Sequence, residues 1–130
     1  MDSNGMTLLP SHEFFESLLK PRGHRPNQDW SESAAVKFEP FVGICFHASW
    51  CGPCKRLDKV SLVKHTPQIK WYSCDVDEIQ ETLGYCGLSG IPGFVLIKDG
   101  QFVNRKTGAG SVNEILQWVY ESGFPVSPVN

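Results

Sequence analysis

The chain has 130 residues, a formal net charge of -2, and hydrophobic and charged fractions of 41% and 20%. That length suits one compact domain with a core of its own, and the composition argues against disorder or a fibrous repeat. The 12 basic and 14 acidic residues are scattered, which gives no field for a polyanion. No apolar stretch approaches the roughly 20 residues of a membrane helix, so nucleic-acid binding and membrane insertion are both set aside.

Along the chain, Met6 to Leu9 is expected to form a short edge strand, ended by Pro10. Ser11 can cap a helix that carries Phe14, Phe15, Leu18 and Leu19 on one face and stops at Pro21 and Gly23. Lys20 to Glu39 is polar and punctuated by prolines. It reads as an ordered loop or insertion with one short helix around Ser33 to Lys37, because Trp30 and Phe38 need somewhere to pack. Phe41 to Phe46 is a near-continuous apolar run, the pattern of a central strand covered on both faces. It leads into Trp50-Cys51-Gly52-Pro53-Cys54, after which Leu57, Val60 and Val63 keep the rhythm of a single helix beginning at Cys51.

Lys70 to Cys74 is a second buried strand, and Asp77 with Gln80 resembles a capping box for a helix reaching Tyr85. Ile91-Pro92 precedes a strand over Gly93 to Ile97; Asp99-Gly100 signals a hairpin, and Gln101 to Lys106 returns antiparallel. Ser111 with Glu114 forms another capping box, opening a helix with Ile115, Leu116 and Val119 inward, closed by Gly123 and Pro125. The order β-α-β-α-β-α-β-β-α predicts a single α/β domain over 1–130. Its central sheet is expected to be mixed and mainly parallel, with an antiparallel C-terminal hairpin and helices on both faces.

Five cysteines are present, at 45, 51, 54, 74 and 86. An odd count without a basic, apolar leader points to reduced thiols in the cytoplasm rather than to an extracellular disulfide scaffold. Only Cys51 and Cys54 have chemical spacing. A zinc site would need a second pair or nearby histidines, yet Cys74 and Cys86 are far apart and His47 and His65 fall in no ligand spacing, so no metal is expected. Cys51 at a helix start gains from unpaired N–H groups that favour a thiolate, which makes it the nucleophile on an exposed rim; Cys54, one turn further in, is the resolving thiol. Gly52 permits close approach of another backbone, and Pro53 suits the first helical turn.

Trp50-Cys51-Gly52-Pro53-Cys54-Lys55, Asp75-Val76-Asp77, Gly90-Ile91-Pro92, Lys98-Asp99-Gly100 and Lys106-Thr107-Gly108-Ala109 stand in one order and spacing. In these motifs the chain resembles the thioredoxins over about Phe41 to Gly123. The resemblance implies a thioredoxin fold and reduction of disulfide-containing protein substrates by a monomer. It implies no bound cofactor; the electrons come from thioredoxin reductase, a flavoprotein that uses NADPH. It also implies that Pro92 is a cis proline beside the cysteines and that the backbone of Ile91 pairs with an extended substrate. Trp50 would shield the disulfide and touch substrate, and Gly108 with Ala109 would form another rim of the groove.

The chain departs from the family pattern at several points. Six positions before Cys51, where most thioredoxins carry a buried aspartate, stands Cys45, and the lysine often found near it corresponds to Ser73. Losing both partners avoids stranding a buried charge. His47, two residues along the same strand, either replaces the missing proton acceptor or fills the space of a tryptophan common there. Gly93 stands where threonine is commoner. Cys74 and Cys86 read as core thiols, with Cys86 near the binding face as the other reading. The missing aspartate and the insertion between the first helix and Phe41 keep a second function in view, a binding subunit that uses the same groove and the added loop to hold one partner, with redox chemistry incidental.

Overall fold

The computed structural model describes residues 5–20, 38–108 and 110–127. The expected helix at Ser33 to Lys37, the helix stops Pro21 and Gly23, Trp30 and Ala109 lie outside them. The elements in order are β1 (Thr7–Leu8), α1 (His12–Ser17), β2 (Phe41–His47), α2 (Gly52–Arg56), α3 (Lys59–Lys64), β3 (Lys70–Asp75), α4 (Glu81–Tyr85), β4 (Gly93–Lys98), β5 (Gln101–Thr107) and α5 (Val112–Glu121).

They build the expected α/β architecture around a mixed sheet of strand order β1-β3-β2-β4-β5. β1 and β2 both pair parallel with β3, while β4 runs antiparallel to both β2 and β5. The antiparallel part therefore reaches the central strand and is not confined to an edge. Each face of the sheet is covered. Cys45, Trp71, Phe94 and Leu96 share one core with Leu57, Leu62 of α3 and Ile115, Leu116 and Val119 of α5. Val42, Ile44, Phe46, Tyr72 and Cys74 share the other with Phe15 of α1 and with Cys86 and Leu88 beyond α4. This is the alternation that a strand imposes on successive side chains.

Gly43, in the middle of β2, is required by packing. It pairs in register with Trp71, and a Cβ there would stand 2.5 Å from the indole ring. The ring is fixed in place: its Nε1 donates to Thr66 Oγ1 at 2.8 Å, and that hydroxyl donates to the Leu62 carbonyl at 2.7 Å.

Three local expectations are corrected. The run from Cys51 to Lys64 is two helices, because Leu57 adopts an extended backbone to bury its side chain and Asp58 then caps α3, its carboxylate accepting Ser61 N–H at 3.0 Å. Val60 accordingly faces solvent. The Asp77 capping box does not form; Gln80 is the N-cap of α4 without a side-chain bond, and Asp77 is used elsewhere. α1 ends at Ser17, ahead of Leu18 and Leu19, whose N–H groups close onto Phe15 and Glu16 carbonyls.

The remaining turn chemistry is as expected. Asp99 and Gly100 both have positive φ, the two-residue hairpin turn whose twist suits its strands. Ser111 and Glu114 form a full capping box. α5 closes with Gly123 at φ +87, its N–H bonded to Tyr120 O and that of Phe124 to Val119 O, so that Phe124 folds into the core.

Candidate active site

β2 delivers its C-terminal end to the turn Ala48–Trp50, and Cys51 follows as the N-cap of α2. Its N–H donates to Ala48 O at 3.1 Å, which fixes the turn. Its sulfur accepts the N–H of Cys54 at 3.2 Å, the place usually taken by a serine or aspartate oxygen. Pro53 occupies the first turn, where a missing N–H leaves nothing unpaired. Cys51 and Cys54 are joined as a disulfide, with Cα atoms 5.3 Å apart. Cys51 thus stands at the N-terminal end of α2, whereas Cys54 lies inside its first turn.

The pair packs with Ala48, Val76 and Ile91, and Cys51 is only 4% exposed. The expectation of an open rim is corrected accordingly: the disulfide is covered by its own turn and by the residues around Ile91. Trp50, by contrast, is 66% exposed, and its Nε1 donates to Asp77 Oδ2 at 2.9 Å. Asp77 is itself placed by its N–H on Asp75 Oδ1 at 2.9 Å. This tether was missed in the sequence because Asp77 read as a cap for α4.

The Ile91-Pro92 peptide is cis. Gly108, at φ +97, donates its N–H to Pro92 O at 2.8 Å, so the turn before β4 and the end of β5 are held together. Pro53, Leu57, Ile91, Pro92, Gly108 and Gly110 line a groove of about 410 Å³ beside the start of α2. Four of the residues expected at the substrate groove are thus brought together, and Ala109 lies outside the described residues. Gly93 is buried, and a Cβ on it would come within 3.1 Å of Leu88 Cδ1 and 3.2 Å of Gly90 O. The space beside its Cα is therefore taken by these neighbours.

The other three thiols are free and buried. Burial pushes Cys45 up to about 11, against the opposing effect of Lys59. Burial pushes Cys74 up to about 12, with Asp75, Cys86, Cys45 and Glu81 adding to it. Cys86 also rises to about 12 through burial, with Arg105 opposing. Cys45 packs in the core with Leu62 and Phe94, apart from the Ala48–Cys51–Cys54 cluster. Cys86 lines a cavity with Glu16, Tyr85, Gly100 and Arg105 and is not among the residues that line the groove. His47 ends β2 opposite Asp75, and its carbonyl accepts Val76 N–H at 2.9 Å. Among the described residues no cluster of three or more His, Cys, Asp or Glu is placed to hold a metal ion.

The thioredoxin family model matches residues 26–121. The chain is 40% identical over 76 residues to mitochondrial thioredoxin-3 of Saccharomyces cerevisiae, covering 57% of this chain and 60% of that protein. It is 31% identical over 104 residues to thioredoxin H-type 1 of Nicotiana tabacum, covering 77% and 82%. The oxidised crystal structure of the yeast mitochondrial thioredoxin 3 superposes with a TM-score of 0.68 at 27% identity, covering 89% of this chain and 94% of that one. With its helix-capping Cys51 joined to Cys54, its cis Pro92 and these matches, the chain belongs to the thioredoxin family and carries that family's redox-active disulfide.

Proposed function

We propose that this chain reduces disulfides in protein substrates, with Cys51 as nucleophile and Cys54 as resolving thiol. The carrying observation is the sulfur of Cys51 at the start of α2, accepting Cys54 N–H and already bridged to Cys54. In the reduced chain the Cys51 thiolate attacks one sulfur of a substrate disulfide, forms a mixed disulfide and expels the other sulfur as a thiolate, which takes a proton. Cys54, losing its proton, attacks the sulfur of Cys51 and releases the second substrate thiol. Two electrons pass to the substrate, and the chain ends as the Cys51–Cys54 disulfide seen in the structure.

The aspartate that takes that proton in most thioredoxins is replaced here by Cys45, a buried thiol of raised pKa. Water at the groove or His47 serves instead, which slows resolution near neutral pH. An extended substrate lies along Ile91 and Pro92, with Trp50 and Gly108 at its flanks. Reducing equivalents come from an NADPH-dependent flavoprotein thioredoxin reductase, and the chain works as a monomer in the cytoplasm. Three free core thiols support a reducing compartment.

Insulin reduction with dithiothreitol as the recycling reductant tests this reading. Turnover above the dithiothreitol background, abolished by Cys51→Ser, is the expected result. Background turnover in the wild type would leave the binding-subunit reading in its place.

A further inference from the structure

Arg56 completes the lining of the groove beside the disulfide and, among the described residues, is its one charged member. Four residues apart on α2, Arg56 and Gly52 share a helix face. A Cβ on Gly52 would stand 3.2 Å from Arg56 Nη1 and 3.9 Å from Cζ and Nη2. The guanidinium therefore lies back close to Gly52, the residue next to the reacting cysteine, where a side chain at 52 would make it shift by a few tenths of an ångström. Among the described residues no carboxylate or carbonyl takes a hydrogen bond from this guanidinium. An exposed cation with a planar fork of donors thus borders the groove without a protein acceptor of its own.

We infer that Arg56 is a specificity-determining residue: the chain prefers protein disulfides in which Asp or Glu stands within two residues of the attacked cysteine. The inference rests on the reductase reading above. An extended substrate rises about 3.3 Å per residue. The side chains one and two positions from its cysteine therefore sit roughly 3 to 7 Å along the groove from the sulfur, which is the reach of a guanidinium close to Gly52. A carboxylate there satisfies the fork. A lysine at the same position meets like charge with no neighbouring carboxylate among the groove residues to relieve it.

The test uses the full chain, recycled by dithiothreitol, on peptide disulfides identical except for Glu, Gln or Lys beside the cysteine. kcat/KM is measured for the wild type, Arg56→Gln and Arg56→Lys at low and high salt. The expected order is Glu above Gln above Lys, with a Glu to Gln ratio of about two- to fivefold at low salt, as for exposed ion pairs, shrinking as salt screens it. In Arg56→Gln that ratio falls toward one, and Arg56→Lys keeps part of it. Because the readout is a ratio between substrates, any effect of Arg56 on the Cys51 thiolate cancels. A wild-type ratio of one, or a ratio unmoved by Arg56→Gln, with brisk turnover of all three peptides, overturns the preference alone. Turnover of every peptide at the dithiothreitol background overturns the reductase reading and this inference with it.

Discussion

Replacing Cys45 with aspartate exposes how far this core has diverged from one that holds a carboxylate. Cys45 has no solvent exposure, and burial raises its thiol from 9.0 to about 11. Two pH units correspond to about 3 kcal/mol against the anion. A carboxylate at the same site meets a similar penalty, so its pKa in the folded chain rises from about 3.9 toward about 6. Below about pH 4 the carboxyl is protonated in both folded and unfolded states, and this penalty is absent. Between about pH 4 and 6 the unfolded chain gives up the proton while the folded one keeps it, so stability falls by about 1.4 kcal/mol per pH unit. Above about pH 6 Cys45→Asp stays lower than Cys45→Asn by about 2 to 3 kcal/mol. Urea denaturation of the two variants at pH 4, 5.5 and 7 measures this directly. Parallel curves at all three pH values would refute the claim that position 45 is a desolvated site. Ser73, the register neighbour of Cys45, supplies a second arm: adding Ser73→Lys to Cys45→Asp recovers part of the loss at pH 7, read as a coupling between the two changes.

Gly43→Ala drives a methyl into the locked Trp71 ring and lowers stability by about 1–3 kcal/mol, seen as a lower urea midpoint. In the reduced native chain at pH 8, iodoacetamide labels Cys51 first. Cys45, Cys74 and Cys86, with pKa values raised to about 11 or 12, carry about one thiolate in a thousand or fewer and label only after denaturation, as peptide mapping reports. Ser111→Ala removes the side-chain half of the α5 cap and costs about 0.5–2 kcal/mol by the same denaturation assay.

Patterns set by local chemistry were legible in the sequence. The apolar run at 41–46, the Asp99-Gly100 turn and the Ser111 to Glu114 box each depend on residues close together, and each forms as read. The pairing of Cys51 with Cys54 followed from spacing and the resemblance. Readings failed where a distant partner decides the outcome. Asp77 carries the letters of a cap but is claimed by Trp50, 27 residues earlier. Leu57 keeps helical spacing yet leaves the helix, because burial in the core outweighs continuation and Asp58 can restart it. The direction of β4 beside β2 is a matter of sheet order, which no local pattern encodes. Arg56 did carry a signal, its four-residue spacing from Gly52, but a lone surface arginine has no meaning until the groove beside it is known.

The central claim is that Cys51 captures the substrate and Cys54 releases it. Cys54→Ser, incubated with a disulfide-containing protein such as insulin and analysed by non-reducing gel and peptide mass mapping, tests it most directly. The account predicts a persistent mixed disulfide located at Cys51, which dithiothreitol removes and which the additional change Cys51→Ser prevents. An adduct at Cys45, Cys74 or Cys86, or the absence of any adduct while the wild type still reduces insulin, would contradict it.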